Sequence, residues 1–254
     1  MIAALIAQNT FREATRDRVM AGMLAAGMVL LVLTQLATPL ALGEGVRLTV
    51  DLGLSGISMI GLFAVLLVGT SLVAKELERR TIYNLLSRPI SRRAYLAGKW
   101  AGLSAALWAV TAALGLGLWI TLRLHGVHGQ TASLVQATYL AGLELTVVTA
   151  IAVLFSSLST PVLSALYTLG LYLVGQWSYD LRELSARFPA PLSQMMRLVS
   201  DVAPNLPLFN MRSLASQGAT TSFGHLGIAT VYAALYAGCV LFLATAAFES
   251  RDFK

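Results

Sequence analysis

The feature that most limits what this chain can fold into is a recurring apolar run of about 20 residues, the length a helix needs to cross the hydrocarbon core of a bilayer. Such runs fall at 19–42, 52–74, 95–122, 134–158, 161–177 and 226–248. Lipid offers no water to an exposed backbone, so segments of this kind fold as helices that bond their own N–H and C=O groups. The expected fold is therefore all-α, a polytopic membrane protein with six transmembrane helices in a single domain spanning 1–254. Composition agrees: 57% of residues are hydrophobic and 12% charged, against roughly 25% charged in soluble domains. That leaves little room for a separate water-soluble domain. The net charge of +6 reads as Lys and Arg held at a lipid surface rather than as a nucleic-acid footprint. Cys239 is the single cysteine and excludes an intrachain disulfide.

The basic residues also orient the chain. Assigning alternate loops to opposite sides places Arg12, Arg16, Arg18, Lys75, Arg79, Arg80, Arg88, Arg92, Arg93, Lys99, Arg251 and Lys254 together. These are twelve of the eighteen Lys and Arg, so by the positive-inside rule both termini are cytoplasmic. The membrane implied is a bacterial inner membrane. Ahead of the first run, Ile2, Leu5, Ile6 and Phe11 fall near helical spacing with Gln8, Arg12 and Arg16 on other faces. This predicts an amphipathic helix at 1–18 lying flat on the cytoplasmic leaflet. The run that follows is too long for the apolar region of a cleaved signal.

The connection between the second and third runs is the most charged part of the protein. Residues 75–86 are good helix formers, and Glu76 to Arg80 has the favourable acid-first i,i+4 order. Ser87-Arg88-Pro89 ends that helix, because a residue preceding proline is pushed out of the α region. Ser91 then caps the next one, which enters the membrane past Lys99 and Trp100. A short helix across the cytoplasmic face results, with Leu77, Ile82, Tyr83, Leu85 and Leu86 as apolar anchors.

The order of these residues resembles the membrane subunits of type-2 ABC exporters, the ABC-2 permease family. The likeness rests on Glu76, Arg79, Arg80, Leu85, Leu86 and Ser87, then Arg88-Pro89-Ile90-Ser91-Arg92, then Tyr95, Leu96, Gly98 and Lys99. Within that family it is nearest in character to the permease of the nitrous-oxide-reductase maturation system. The resemblance implies that 75–90 is a coupling helix, with Glu76, Glu78, Arg79, Arg80, Tyr83, Leu86 and Arg88 meeting the groove of a cytoplasmic ATPase. It implies a homodimer of permeases, two separate ATPase subunits that bind the ATP and Mg, and export across the membrane. No cofactor is expected in this chain. Its own sequence has no Gly-x-x-x-x-Gly-Lys-Ser/Thr loop to cradle phosphates, so the energy has to come from another chain. A rival reading is a mechanical transducer that passes movement to a periplasmic or external protein without carrying a solute.

Glu144 is the one acidic residue well inside an apolar run, where a lone carboxylate costs several kcal/mol unless protonated, paired or wet. It is either a contact on a substrate pathway or a helix-pairing group bonded to Thr146, Thr149, Tyr139 or a similar neighbour. Gln35 and Gln176 are expected to bond between helices. In Ser156-Ser157-Leu158-Ser159-Thr160-Pro161, Pro161 suits a first helical turn and Ser159 or Thr160 a cap. His125 and His128 are too few ligands for a closed metal site. The external connection at 178–224 reads as two short helices, one with a Glu183–Arg187 pair and one with Leu192, Met195, Met196, Val199 and Val202 at helical spacing.

Overall fold

A computed structural model of the chain describes residues 2–37, 44–71, 91–127 and 129–249. Among these the fold is all-helical. In chain order the helices are α1 (Ile2–Arg16), α2 (Arg18–Ala37), α3 (Gly45–Ala64), α4 (Arg92–Leu124), α5 (Thr131–Leu158), α6 (Pro161–Gln176), α7 (Ser178–Ser185), α8 (Ala190–Val202), α9 (Arg212–Ser216) and α10 (Phe223–Glu249). A π-helical turn, Val65–Gly69, continues α3, and a 3₁₀ turn, Leu206–Phe209, precedes α9.

Five of these are long and apolar enough to cross a bilayer: Arg18–Leu36, Gly45–Gly69, Arg92–Leu124, Thr131–Leu158 and Phe223–Phe248. The protein is therefore a polytopic membrane protein. The sixth expected span, α6, has only 16 residues and reaches about 24 Å at 1.5 Å per residue, less than the ~30 Å hydrocarbon core. The Gly-Gln-Trp-Ser sequence at 175–178 turns the chain into α7, with Gln176 spent on a partner in α5.

One boundary also shifts. The helix of the second span starts at Gly45, so Arg47, paired with Glu44 at 3.0 Å, and the exposed Asp51 lie within it rather than before it. The helix that precedes the first span does not simply lie on lipid. α1 packs along the start of α4, where Gly98 and Gly102 leave no room for a side chain: a Cβ on Gly98 would sit 2.8 Å from Ile6 and 2.9 Å from the Ala3 carbonyl, and one on Gly102 would meet Ala7 O. A small residue every four places lets two helix backbones approach closely. Ile2 and Leu5 stay exposed on the other side.

α5 is the hub. Most of it is buried, against α4, α10, α3 and α6. Its glycine and threonines accommodate neighbours: the Trp108 ring lies where a Cβ on Gly142 would be, and its Nε1 donates to Thr146 Oγ1 at 3.0 Å. Trp100 Nε1 donates to Thr146 O at 3.1 Å. At the turn into α6, Pro161 occupies the first helical position as expected, but Thr160 supplies no side-chain cap. Ser159 Oγ instead bonds Phe155 O at 3.0 Å and Ser164 Oγ at 2.8 Å.

Beyond α6 the chain forms the two expected short helices, α7 and α8, tied by Ser200 Oγ to Ser178 O at 2.8 Å. The next stretch is more deeply built in than a solvated loop. Ala203, Leu206, Phe209, Met211 and Ala215 are all buried. Leu206–Phe209 rests on α5 and α6, and α9 rests on α3 and α5. Gly175 at the end of α6 admits the Pro204 carbonyl, which a Cβ there would meet at 2.8 Å.

Candidate functional site

Two groups of residues draw together what the sequence singled out. The first lies at the end of the bundle where α1, the start of α4 and the end of α10 meet. Ser91 caps α4 by accepting from Ala94 N at 3.3 Å. Arg92, one residue on, donates to the Phe248 carbonyl at 2.6 Å and stacks 5.5 Å from that ring. Its charge thus complements the carbonyl-rich C-terminal turn of α10. Lys99, 4% exposed, has its ammonium 3.6 Å from Glu13 of α1 and 6.0 Å from the Tyr95 ring. Tyr95, Leu96, Val153, Ala244 and Phe248 close an apolar cluster around these charges. The Arg-x-x-Tyr-Leu-x-Gly-Lys run therefore has a physical reading residue by residue: two cations tie α4 to α10 and α1, an aromatic and a leucine fill the cluster, and a glycine seats α1.

The other flank of the charged connection is held as well. Ser156 Oγ of α5 donates to Thr70 O at 2.7 Å, and Gly69 sits tight enough that a Cβ would be 3.0 Å from Leu103. The π turn ends here; such turns recur at functional positions in helices. Glu76, Glu78, Arg79, Arg80, Tyr83, Leu86 and Arg88 themselves lie outside the described residues, as does His128.

The second group is centred on Glu144. It is 4% exposed, halfway along α5. Its carboxylate accepts from Gln176 Nε2 at 2.6 Å and bonds the Tyr172 phenol, while Gln176 Nε2 also reaches Tyr172 Oη at 2.9 Å. Tyr172 and Gln176 are one turn apart on α6, which places both on the face toward α5. The Arg212 guanidinium of α9 adds an opposing charge within electrostatic reach. These are not the neighbours expected from the sequence. Thr146 serves Trp108, Thr149 returns its hydroxyl to Leu145 O, and Tyr139 bonds Thr230 of α10 at 2.8 Å. Gln176 makes the interhelical bond anticipated for it, whereas Gln35 Nε2 donates to the adjacent Thr34 at 3.2 Å. Arg212 was missed because it stands in a polar stretch of a long connection; no local pattern announces that the stretch folds back onto the spans.

A buried carboxylate held by an amide, a phenol and an outlying cation has its polar capacity met within the bundle. Among the described residues no cluster of His, Cys, Asp and Glu is arranged to hold a metal ion. The chemistry on view is that of helices fastened to one another at two levels.

The whole chain carries one family signature. The model of the family described as "ABC-2 family transporter protein" matches residues 3–253, and the protein belongs to that family. It is thus a membrane subunit of the ABC transporter kind, whose partners are an ABC ATPase and the lipid membrane. No curated protein matches it in sequence.

Proposed function

We propose that the chain is the permease of an inner-membrane exporter that works as a homodimer, with both termini cytoplasmic and two separate ATPase subunits docked on the 75–90 segment. ATP and Mg are held by those subunits. The observation that carries this reading is the fastening of both flanks of that segment. Thr70 is bonded to α5, and Ser91 and Arg92 open a helix tied to α1 and α10. A push on the segment then moves the ends of α3 and α4 with the helices they grip, as a rigid-body displacement of packed elements. Glu76, Glu78, Arg79, Arg80 and Arg88 supply charge to the docking surface, and Tyr83 and Leu86 supply buried area.

Reversing Arg79 and Arg80 to Glu and truncating Tyr83 and Leu86 to Ala removes both contributions without touching a span. The variant is expected to insert and dimerise but to lose its ATPase in detergent; retention as tight as wild type would overturn the docking assignment. Transduction to an external protein is the second reading. It is favoured by the way 203–217 lies on α3, α5 and α6 with Arg212 within electrostatic reach of Glu144, so that span movement reaches the outer surface.

A further inference from the structure

We propose that the groove between α4 and α5 holds one acyl chain of an anionic phospholipid, with the headgroup drawn to Arg123. The groove encloses about 470 Å³ between Trp108, Ala112, Gly115, Leu116 and Trp119 of α4 and residues 131–139 of α5, a volume within the usual range of small-ligand sites. It runs lengthwise along the two helices. Trp119 and Trp108, at its two ends, are eleven residues apart on α4, which is about 16 Å.

Its lining is apolar for a specific reason. Each aromatic residue has its polar atom taken by a threonine: Trp119 Nε1 by Thr131 at 3.2 Å, Trp108 Nε1 by Thr146 at 3.0 Å, and the Tyr139 hydroxyl by Thr230 at 2.8 Å. What faces the groove is almost wholly ring surface and aliphatic carbon. The groove is closed between the helices where Gly115 meets Thr138, a Cβ there being 2.7 Å from the Thr138 side chain. It opens sideways past Ala112, Leu116 and Val135, all exposed. A polar solute has nothing to bond here, whereas a flexible hydrocarbon chain entering from the bilayer is matched along the whole length.

The headgroup end is defined by charge. Arg123 lies 5.0 Å over the Trp119 ring and donates from Nη2 to Thr131 at 3.2 Å, two residues that line one end of the groove. A cation at the membrane surface beside an apolar slot between spans is the arrangement that recognises an anionic lipid head, and a planar guanidinium suits a phosphate diester. With both termini cytoplasmic, this end faces the outer leaflet. The site stands independently of how the chain couples to an ATPase.

The test uses the full chain with Trp100 and Trp177 changed to Phe, so that emission comes from Trp108 and Trp119. It is reconstituted in phosphatidylcholine vesicles containing phosphatidylglycerol, with dibrominated acyl chains on one lipid or the other at equal bromine content. Brominated phosphatidylglycerol is expected to quench at about fivefold lower mole fraction than brominated phosphatidylcholine. Arg123→Gln should erase that preference, Arg123→Lys should retain it, and Ala112→Phe, which fills the groove, should weaken quenching by both lipids. Equal quenching by the two lipids in the unaltered groove, or a preference that survives Arg123→Gln, would overturn the proposal. So would weak quenching by both together with disulfide formation between copies of Ala112→Cys, which would show a second subunit in the groove.

Discussion

At the end of the bundle where α1, α4 and α10 meet, helices touch backbone to backbone and their charges are paired: Gly98 and Gly102 seat α1, the buried Lys99 faces the exposed Glu13, and Arg92 caps α10. Toward the opposite end α4 and α5 leave a sideways-open groove between Trp108 and Trp119, and α6 stops at the level of Glu144, where 203–217 fills in above it. The first region has few ways to rearrange without breaking close contacts. The second is held by hydrogen bonds between separable elements. A displacement applied at the tight end is passed on whole, and the place with room to change is the far half, around Glu144 and α9.

The sharpest break in that comparison is expected at Glu144. Replacement by Leu leaves Tyr172 and Gln176 without their carboxylate acceptor, and each buried donor left unsatisfied costs about 1–3 kcal/mol. Thermal unfolding in detergent should show the loss, together with release of 203–217 to proteolysis. Glu144→Gln separates the two roles first considered for this residue. If the group only pairs helices, the amide keeps assembly and transport near wild type, whereas an ionisable pathway contact requires transport to fall while stability holds.

At the tight end, Arg92→Ala removes a charged donor from the Phe248 carbonyl, a loss of about 1.5–3 kcal/mol. It should appear as faster amide exchange over 244–248, with exchange around Glu144 unchanged. Equal acceleration at both places would mean the two ends are not distinct. A smaller effect is expected from Thr146→Val, which strips Trp108 of its acceptor while keeping shape, for about 1 kcal/mol. Trp108 emission should shift without a change in α1 protection.

How much of this was legible beforehand differs between the regions for a physical reason. The tight end is written locally. Apolar runs of bilayer length, Ser91 as a cap, Pro161 opening α6 and the Arg92–Lys99 order are short-range patterns, and they led to the correct family and to an all-helical membrane fold. The partners of those residues were not legible: nothing near Gly98 or Gly102 says that α1 will be what they seat. The far half depends on contacts between residues distant in sequence. Glu144 was recognised as needing a partner because of its depth, but Tyr172, Gln176 and Arg212 lie 28, 32 and 68 positions away. The shortness of α6 could be read from its run, which ends only one residue past the helix, whereas 203–217 carries its buried residues without a helical period.

The central claim is that the seat of α1 on α4 transmits what an ATPase does at 75–90, and Gly102→Leu tests it most directly. The substitution forces a side chain against Ala7 O and Thr10, a strain of about 1–3 kcal/mol that lies away from the docking segment. The measurement is ATPase hydrolysis in the reconstituted complex, made alongside the affinity of the ATPase for the permease. The account predicts unchanged affinity with stimulation of hydrolysis largely lost. Full stimulation with α1 displaced, verified by loss of a Glu13→Cys to Lys99→Cys cross-link in the Gly102→Leu background, would contradict it.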